Sequence, residues 1–289
     1  MNIGNVKKVC VVGTGKMGTQ IALNCAIHGF ETVITGRKSE KLEEIKKWSD
    51  DYLVGRVSKG KMTAEKAEEA ASRFLYTTSL KEAVADCQII FESVVEDKEI
   101  KKQIFTDINA WAMPDAVIAS NSSYMPSSEF AEYITNPGRL ANAHFFNPAL
   151  AMKLVEVIKG EHTSEETIDL LMDFARATGK TPIRVNKEID GFVVNRVLRA
   201  IRDESFYLIE EGVVSPQDLD IGVELGLNHP MGPFKLLDFT GVDLMYRSSE
   251  KRWNDTGIKP HGYDIVKEMY ENNEWGRKTG KGFYEYEQK

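Results

Sequence analysis

Along the chain, the order of apolar and polar positions separates two stretches of different character. Up to about Val185, short β-branched apolar runs recur at Val9–Val12, Thr32–Thr35, Gln88–Val94, Ala116–Ala119, Leu140–Phe146, Lys153–Ile158 and Pro182–Val185. Segments of helical periodicity lie between several of them, at Thr19–His28, Glu40–Ser49, Ala64–Ser72, Lys98–Ala112 and Glu165–Thr178. Repeated strand-helix alternation predicts an α/β fold built on a doubly wound, mostly parallel sheet. Beyond Val185 the pattern turns helical, over Phe192–Glu211 and Pro216–Leu225, and predicts an all-helical C-terminal domain. The polar segment Asn186–Gly191 sets the boundary between residues 1–186 and 187–289. Apolar residues run around much of Phe192–Glu211, so this helix is expected to be buried against the first domain or against a partner subunit.

The first strand breaks into Gly13-Thr14-Gly15-Lys16-Met17-Gly18 and continues as a helix. A G-x-G-x-x-G string between strand and helix is the dinucleotide-binding fingerprint, and it makes the expected fold Rossmann-like. Gly13 allows the tight turn, Gly15 lets the backbone approach a pyrophosphate, and Gly18 lets helix and strand pack closely. The helix N-terminus then points free N–H groups at the anion.

In the usual NAD form a carboxylate at the end of the second strand binds the adenosine ribose. Here that strand is Glu31–Thr35 and Gly36-Arg37-Lys38-Ser39 follows, with no carboxylate at the working end. Arg37 and Lys38 stand where a 2′-phosphate would lie, and guanidinium pairs with phosphate through parallel hydrogen bonds. The turn therefore favours NADP over NAD, unless the two cations are simply solvated ahead of a helix.

Composition narrows the partners. The chain has 289 residues, 28% of them charged and 42% hydrophobic, which is ordinary for a globular enzyme. A formal charge of −7 gives no basic field for nucleic acid, so a phosphorylated ligand needs local cations. Cys10, Cys25 and Cys87 lack C-x-x-C spacing and read as small core residues in a reducing compartment. No apolar stretch reaches 18 residues, so a cytoplasmic protein with no signal peptide or membrane span is expected.

In open α/β sheets ligands collect at the carboxyl ends of the strands. Those ends supply Gly13, Gly36, Ser93, Glu96, Ser120-Asn121-Ser122-Ser123, His144 and Asn147, which should converge on one crevice. His144 interrupts an apolar run just before an Asn-Pro turn, and imidazole suits proton transfer near neutrality. Glu156 lies inside the apolar run Met152–Ile158. A carboxylate buried there needs a partner, and His144 on the adjacent strand is the obvious one. The alternative is that Glu156 projects to solvent from an edge strand.

Several strings together resemble the short-chain (S)-3-hydroxyacyl-CoA dehydrogenases, in particular the bacterial 3-hydroxybutyryl-CoA dehydrogenases. They are Ser120-Asn121-Ser122-Ser123, His144-Phe145-Phe146-Asn147-Pro148, Met152-Lys153-Leu154-Val155-Glu156-Val157, Gly191-Phe192-Val193-Val194-Asn195-Arg196, Asn228-His229-Pro230-Met231-Gly232-Pro233 and Gly276–Tyr284. The resemblance spans the whole chain. It implies a catalytic quartet of Ser123, His144, Glu156 and Asn195, with His144 as the acid/base, Glu156 orienting it, and Ser123 and Asn195 bonding the substrate oxygen. It also implies cofactor contacts at Glu96, Lys101, Asn147 and Lys278 and an acyl-CoA substrate, while the all-round apolar helix after Gly191 points to a homodimer. Lys59, in Arg56-Val57-Ser58-Lys59-Gly60-Lys61, would meet the coenzyme A phosphate or pantetheine, or is a solvated helix-end lysine. Tyr124-Met125 departs from the family pattern beside the serine, which leaves acyl-chain preference open, as the Gly36-Arg37-Lys38 turn leaves NAD itself open.

The other histidines are scattered without metal-ligand spacing. A Ser123 nucleophile lacks the G-x-S-x-G elbow and leaves the glycine fingerprint without purpose. Two readings remain beside the hydroxyacyl-CoA one. A dehydrogenase of a free hydroxy or sugar acid would keep His144 and Glu156, whereas a non-catalytic dinucleotide-sensing protein would not need them.

Overall fold

A computed structural model describes residues 2–287. They fall into two compact units, Met1–Val193 and Val194–Lys289. The first unit carries one eight-stranded sheet: β1 (Lys8–Val12), β2 (Glu31–Thr35), β3 (Phe74–Thr77), β4 (Ile89–Glu92), β5 (Val117–Ser120), β6 (Leu140–Phe145), β7 (Leu154–Ile158) and β8 (Thr181–Val185). Their spatial order is β3-β2-β1-β4-β5-β6-β7-β8. Neighbours run parallel except β6 and β7, which pair antiparallel. Helices α1 (Lys16–Ile27), α2 (Ser39–Ser58), α3 (Ala64–Arg73), α4 (Leu80–Val84), α5 (Lys98–Trp111) and α6 (Glu165–Ala177) connect the strands.

The sheet is fully buried at its centre, where β4 and β5 are apolar at nearly every position. Such continuous runs mark strands covered on both faces. One core cluster, with Ile21, Leu23, Phe91 and Phe174, and another, with Cys10, Ile90, Phe105 and Phe130, contain side chains from opposite faces of β4. All three cysteines are free and buried, and desolvation pushes the Cys25 thiol up to about 12. No helix among the described residues is long and apolar enough to cross a membrane.

The second unit consists of α7 (Val194–Glu210), α8 (Pro216–Gly226), α9 (Pro233–Thr240), α10 (Val242–Thr256) and α11 (Tyr263–Glu271). Phe206, Leu219, Phe234, Leu237, Val242, Met245 and Val266 form its core. Asp220 receives the backbone N–H groups of Phe234 and Lys235 at 2.9 Å each and so caps the start of α9.

Four features differ from the sequence reading. The strand β3 and the short helix α4 are additional, being too short to show a period. The second helix runs on to Ser58 because Leu42, Ile45, Ser49 and Leu53 continue one buried stripe past Ser49. The helix expected from Phe192 starts at Val194, since Phe192 takes a left-handed φ of 47° and packs with Ile158 and Val185. The division between the units accordingly falls at Val193–Val194, beyond the polar segment Asn186–Gly191. On α7, Val197 is 56% and Tyr207 42% exposed, and Ser205 and Phe206 are buried.

Candidate active site

The glycine turn does what its spacing requires. Gly13 has φ 131°, and a Cβ there would stand 2.2 Å from the Ser93 carbonyl oxygen. A Cβ on Gly18 would stand 2.2 Å from the Gly13 oxygen, so both positions exclude any larger residue. Around Gly15, by contrast, the space is open, and Gly15 starts α1 without a side-chain cap. The N–H groups of the first turn of α1 are thus available to a ligand.

They face a cavity of about 930 Å³ lined by Gly13, Thr14, Gly15, Lys16, Met17, Gly36, Arg37, Glu96, Lys101 and Ser123, among others. Its size and glycine-lined wall suit a dinucleotide. At the end of β2, a Cβ on Gly36 would stand 2.3 Å from Thr14 Cγ2, so Thr14 would have to turn away to admit a side chain. Arg37 is exposed and lines the cavity, while Lys38 is the exposed N-cap residue of α2.

One wall of this cavity rests on a buried ion pair. Glu92, at the end of β4, accepts hydrogen bonds from Lys101 Nζ at 2.7 Å, Ser120 Oγ at 2.6 Å and the Val94 N–H at 2.8 Å. Neither charged side chain is more than 1% exposed. Lys101, which also lines the cavity, pairs with Glu92 and lies 3.6 Å from Glu96 Oε2, so it ties the wall together. Glu96 joins the loops after β4 and β5, accepting from Ser122 Oγ and from the Ser123 N–H at 2.9 Å.

Next to Ser123, which lines the cavity, stands the histidine. His144 and Glu156 are directly opposed in the antiparallel β6–β7 pair, and His144 Nδ1 lies 2.8 Å from Glu156 Oε2. Glu156 is completely buried, which removes the reading in which it projects to solvent. Its second oxygen accepts the Val193 N–H at 3.1 Å. On the far side of the ring, Nε2 is 3.0 Å from Ser123 Oγ. Phe146 and Phe192 flank the imidazole, with ring centroids 4.6 and 5.6 Å away. A carboxylate on Nδ1 fixes the tautomer that leaves Nε2 free to accept a proton and stabilises the imidazolium that results.

The structure thus brings Ser123, His144 and Glu156 together in the first unit, and joins them through Ser123 to the cavity. Asn147 is exposed just after β6. Lys59 ends α2, a 20-residue helix, about 30 Å from the Lys38 end. Asn195 and Lys278 belong to the second unit, where Asn195 is the second residue of α7 and Lys278 pairs with Asp243 at 2.7 Å. The sequence reading missed Glu92 and Asn142. Both are polar residues within apolar strand runs, the same signal that singled out Glu156. Asn142 accepts the Ser127 N–H at 2.7 Å and donates to the Met125 carbonyl at 3.1 Å, which pins the loop that carries Ser123.

Comparison with known proteins agrees with this geometry. The NAD-binding domain of 3-hydroxyacyl-CoA dehydrogenase matches residues 8–189, and the C-terminal domain of the same family matches residues 191–286. A probable 3-hydroxybutyryl-CoA dehydrogenase of Deinococcus radiodurans is 36% identical over 96% of this chain and 100% of its own. The human mitochondrial hydroxyacyl-coenzyme A dehydrogenase is 34% identical over 97% of this chain and 91% of its own. The crystal structure of (S)-3-hydroxybutyryl-CoA dehydrogenase from Ralstonia eutropha superposes with a TM-score of 0.89 at 32% identity, covering 98% of this chain and 100% of that one. With both domain matches in order along the chain, this protein belongs to the 3-hydroxyacyl-CoA dehydrogenase family of oxidoreductases.

Proposed function

We propose that the chain interconverts (S)-3-hydroxybutyryl-CoA, or a related short-chain 3-hydroxyacyl-CoA, with acetoacetyl-CoA or the matching 3-oxoacyl-CoA, preferring NADP(H) to NAD(H). The observation that carries this reading is the contact from Ser123, in the cavity wall, to His144 Nε2 at 3.0 Å, with Glu156 on the opposite nitrogen at 2.8 Å. Bound in the cavity, the dinucleotide supplies the hydride acceptor or donor. In the oxidation direction, His144 Nε2 takes the proton of the 3-hydroxyl, and Glu156 steadies the positive ring. Ser123 Oγ turns its hydrogen bond from the imidazole to the substrate oxygen and fixes the line of approach. In the reverse direction the protonated His144 returns the proton to the oxygen. The roles of Asn195 as a second donor to that oxygen, of Asn147 and Lys278 as cofactor contacts and of Lys59 as a coenzyme A contact rest on the family resemblance alone.

The NADP preference is supported by Gly36, crowded by Thr14 where the ribose-binding carboxylate would stand, and by Arg37 in the cavity wall beside Lys38. Initial rates of acetoacetyl-CoA reduction with NADPH and with NADH at equal concentration test both halves of the proposal. A higher rate with NADH overturns the cofactor preference, and no turnover with either overturns the substrate class.

A homodimer fits the exposed apolar residues of the second unit, among them Val197, Ile221, Leu225 at 83% exposure and Leu227. Light scattering at micromolar protein should give twice the chain mass, and a single-chain mass contradicts the dimer. The three free, buried thiols fit a reducing, cytoplasmic setting.

A further inference from the structure

Five residues before Val193, the segment leading out of β8 is tied to the loop that carries Ser123. Glu188 Oε1 accepts a hydrogen bond from Ser127 Oγ at 2.7 Å and another from the Ser128 N–H at 3.1 Å. His162 Nε2 stands 3.4 Å from the same Ser127 hydroxyl. Space here is tight: a Cβ on Gly160 would stand 2.4 Å from His162 Cε1 and 3.0 Å from Glu188 Oε1. Ser127 is fully buried, so without this acceptor its hydroxyl would keep only the longer contact to His162.

We propose that Glu188 is a positioning residue for the His144 centre, acting on both sides of the imidazole at once. On one side, Ser127 and Ser128 close the loop from Asn121, within which Ser123 meets His144 Nε2. On the other side, the same segment continues to Phe192, which flanks the His144 ring, and to Val193, whose N–H holds Glu156. Between the tie and these contacts the backbone passes through two left-handed residues, Gly191 at φ 73° and Phe192 at φ 47°. A phenylalanine rarely adopts that conformation unaided, so the turn is held from outside. Glu188 anchors its entry, and Phe192 buried with Ile158 and Val185 anchors its exit. One carboxylate oxygen thereby sets the spacing between the serine loop and the segment that orients Glu156.

This inference builds on the proposed reaction, but one of its tests does not depend on turnover. Both hydrogen bonds reach the same oxygen, so Glu188→Gln can keep them through its amide oxygen, whereas Glu188→Ala loses both. Misplacement of reacting groups by about 1 Å can cost about 100-fold in rate. Glu188→Ala is therefore expected to lower kcat by at least about tenfold while the Kd of NADPH, from fluorescence titration, stays within about twofold; Glu188→Gln is expected to recover kcat to within about threefold. In the cofactor-free protein, the NMR signals of the His144 ring should move in Glu188→Ala and return in Glu188→Gln. The inference is overturned by a kcat in Glu188→Ala within about twofold of the parent, by equal losses of kcat and cofactor affinity, or by His144 signals unmoved in Glu188→Ala. Absence of turnover in the parent enzyme would refute the proposed reaction instead, and the ring signals would still decide the role of Glu188.

Discussion

Ser123 Oγ lies 3.0 Å from His144 Nε2, on the side of the ring opposite Glu156. In the proposed reaction this nitrogen exchanges its proton with the substrate oxygen, and Ser123 is the group it meets in the free protein. His144→Gln should keep NADPH binding and lose at least about 100-fold in kcat, the scale of general acid-base catalysis. Near-normal turnover would exclude His144 as the base. Ser123→Ala should slow the reaction less, because the base remains, and fluorescence titration would show unchanged cofactor affinity.

Arg37 is the cation that the cavity wall offers at the end of β2. A charged hydrogen bond contributes about 1.5–3 kcal/mol, so Arg37→Ala should raise the KM for NADPH by about tenfold or more and leave that for NADH nearly unchanged. Equal effects on the two cofactors would remove Arg37 from 2′-phosphate recognition. Lys38→Ala, at the N-cap of α2, should act in the same direction and more weakly, as a point charge without the bidentate fork.

The Glu92–Lys101 pair yields a stability prediction. Glu92→Ala removes the nearest partner of a buried ammonium, leaving it Glu96 at 3.6 Å, and should destabilise the protein by up to about 3–5 kcal/mol in urea denaturation. Replacing both residues, as Glu92→Leu with Lys101→Met, should restore much of the loss. If Glu92→Ala unfolds at the parent's urea concentration, the pair does not carry the cavity wall.

Burial holds the His162 imidazole below its ordinary value of 6.5, with the nearby Glu188 opposing the shift. The folded protein thus favours the neutral ring, and the unfolded chain binds the proton first as pH falls. Stability from this group is complete above about pH 6.5 and declines as pH drops through that value toward the lower folded pKa. His162→Gln should flatten the decline of the melting temperature between about pH 7 and about pH 5. An unchanged slope would show that the ring is no drier in the folded state than in the unfolded one.

Much of this site could be read from the chain because it obeys local rules. Gly13, Gly15 and Gly18 sit between a strand and a helix, and Glu156 is a lone charge in a run that has to be buried. Glu92 follows the same rule and was missed because its partner, Lys101, is one of several lysines on an otherwise polar helix start. The left-handed Phe192 was not legible for a different reason. Its apolar periodicity continues into α7, whereas in the fold it packs against Ile158 and Val185 outside the helix. The exposure of α7 was equally hidden, since a ring of apolar residues reads the same whether a domain or a second chain covers it.

The reversal of direction between β6 and β7 has a consequence for how the catalytic pair is encoded. His144 and Glu156 come from one antiparallel hairpin, so their meeting is a matter of strand register. A slip of one residue would turn Glu156 to the opposite face of the sheet while leaving the dinucleotide cavity as it is. The proton-transfer pair is thus written in strand register, apart from the glycine turn that writes the cofactor cavity.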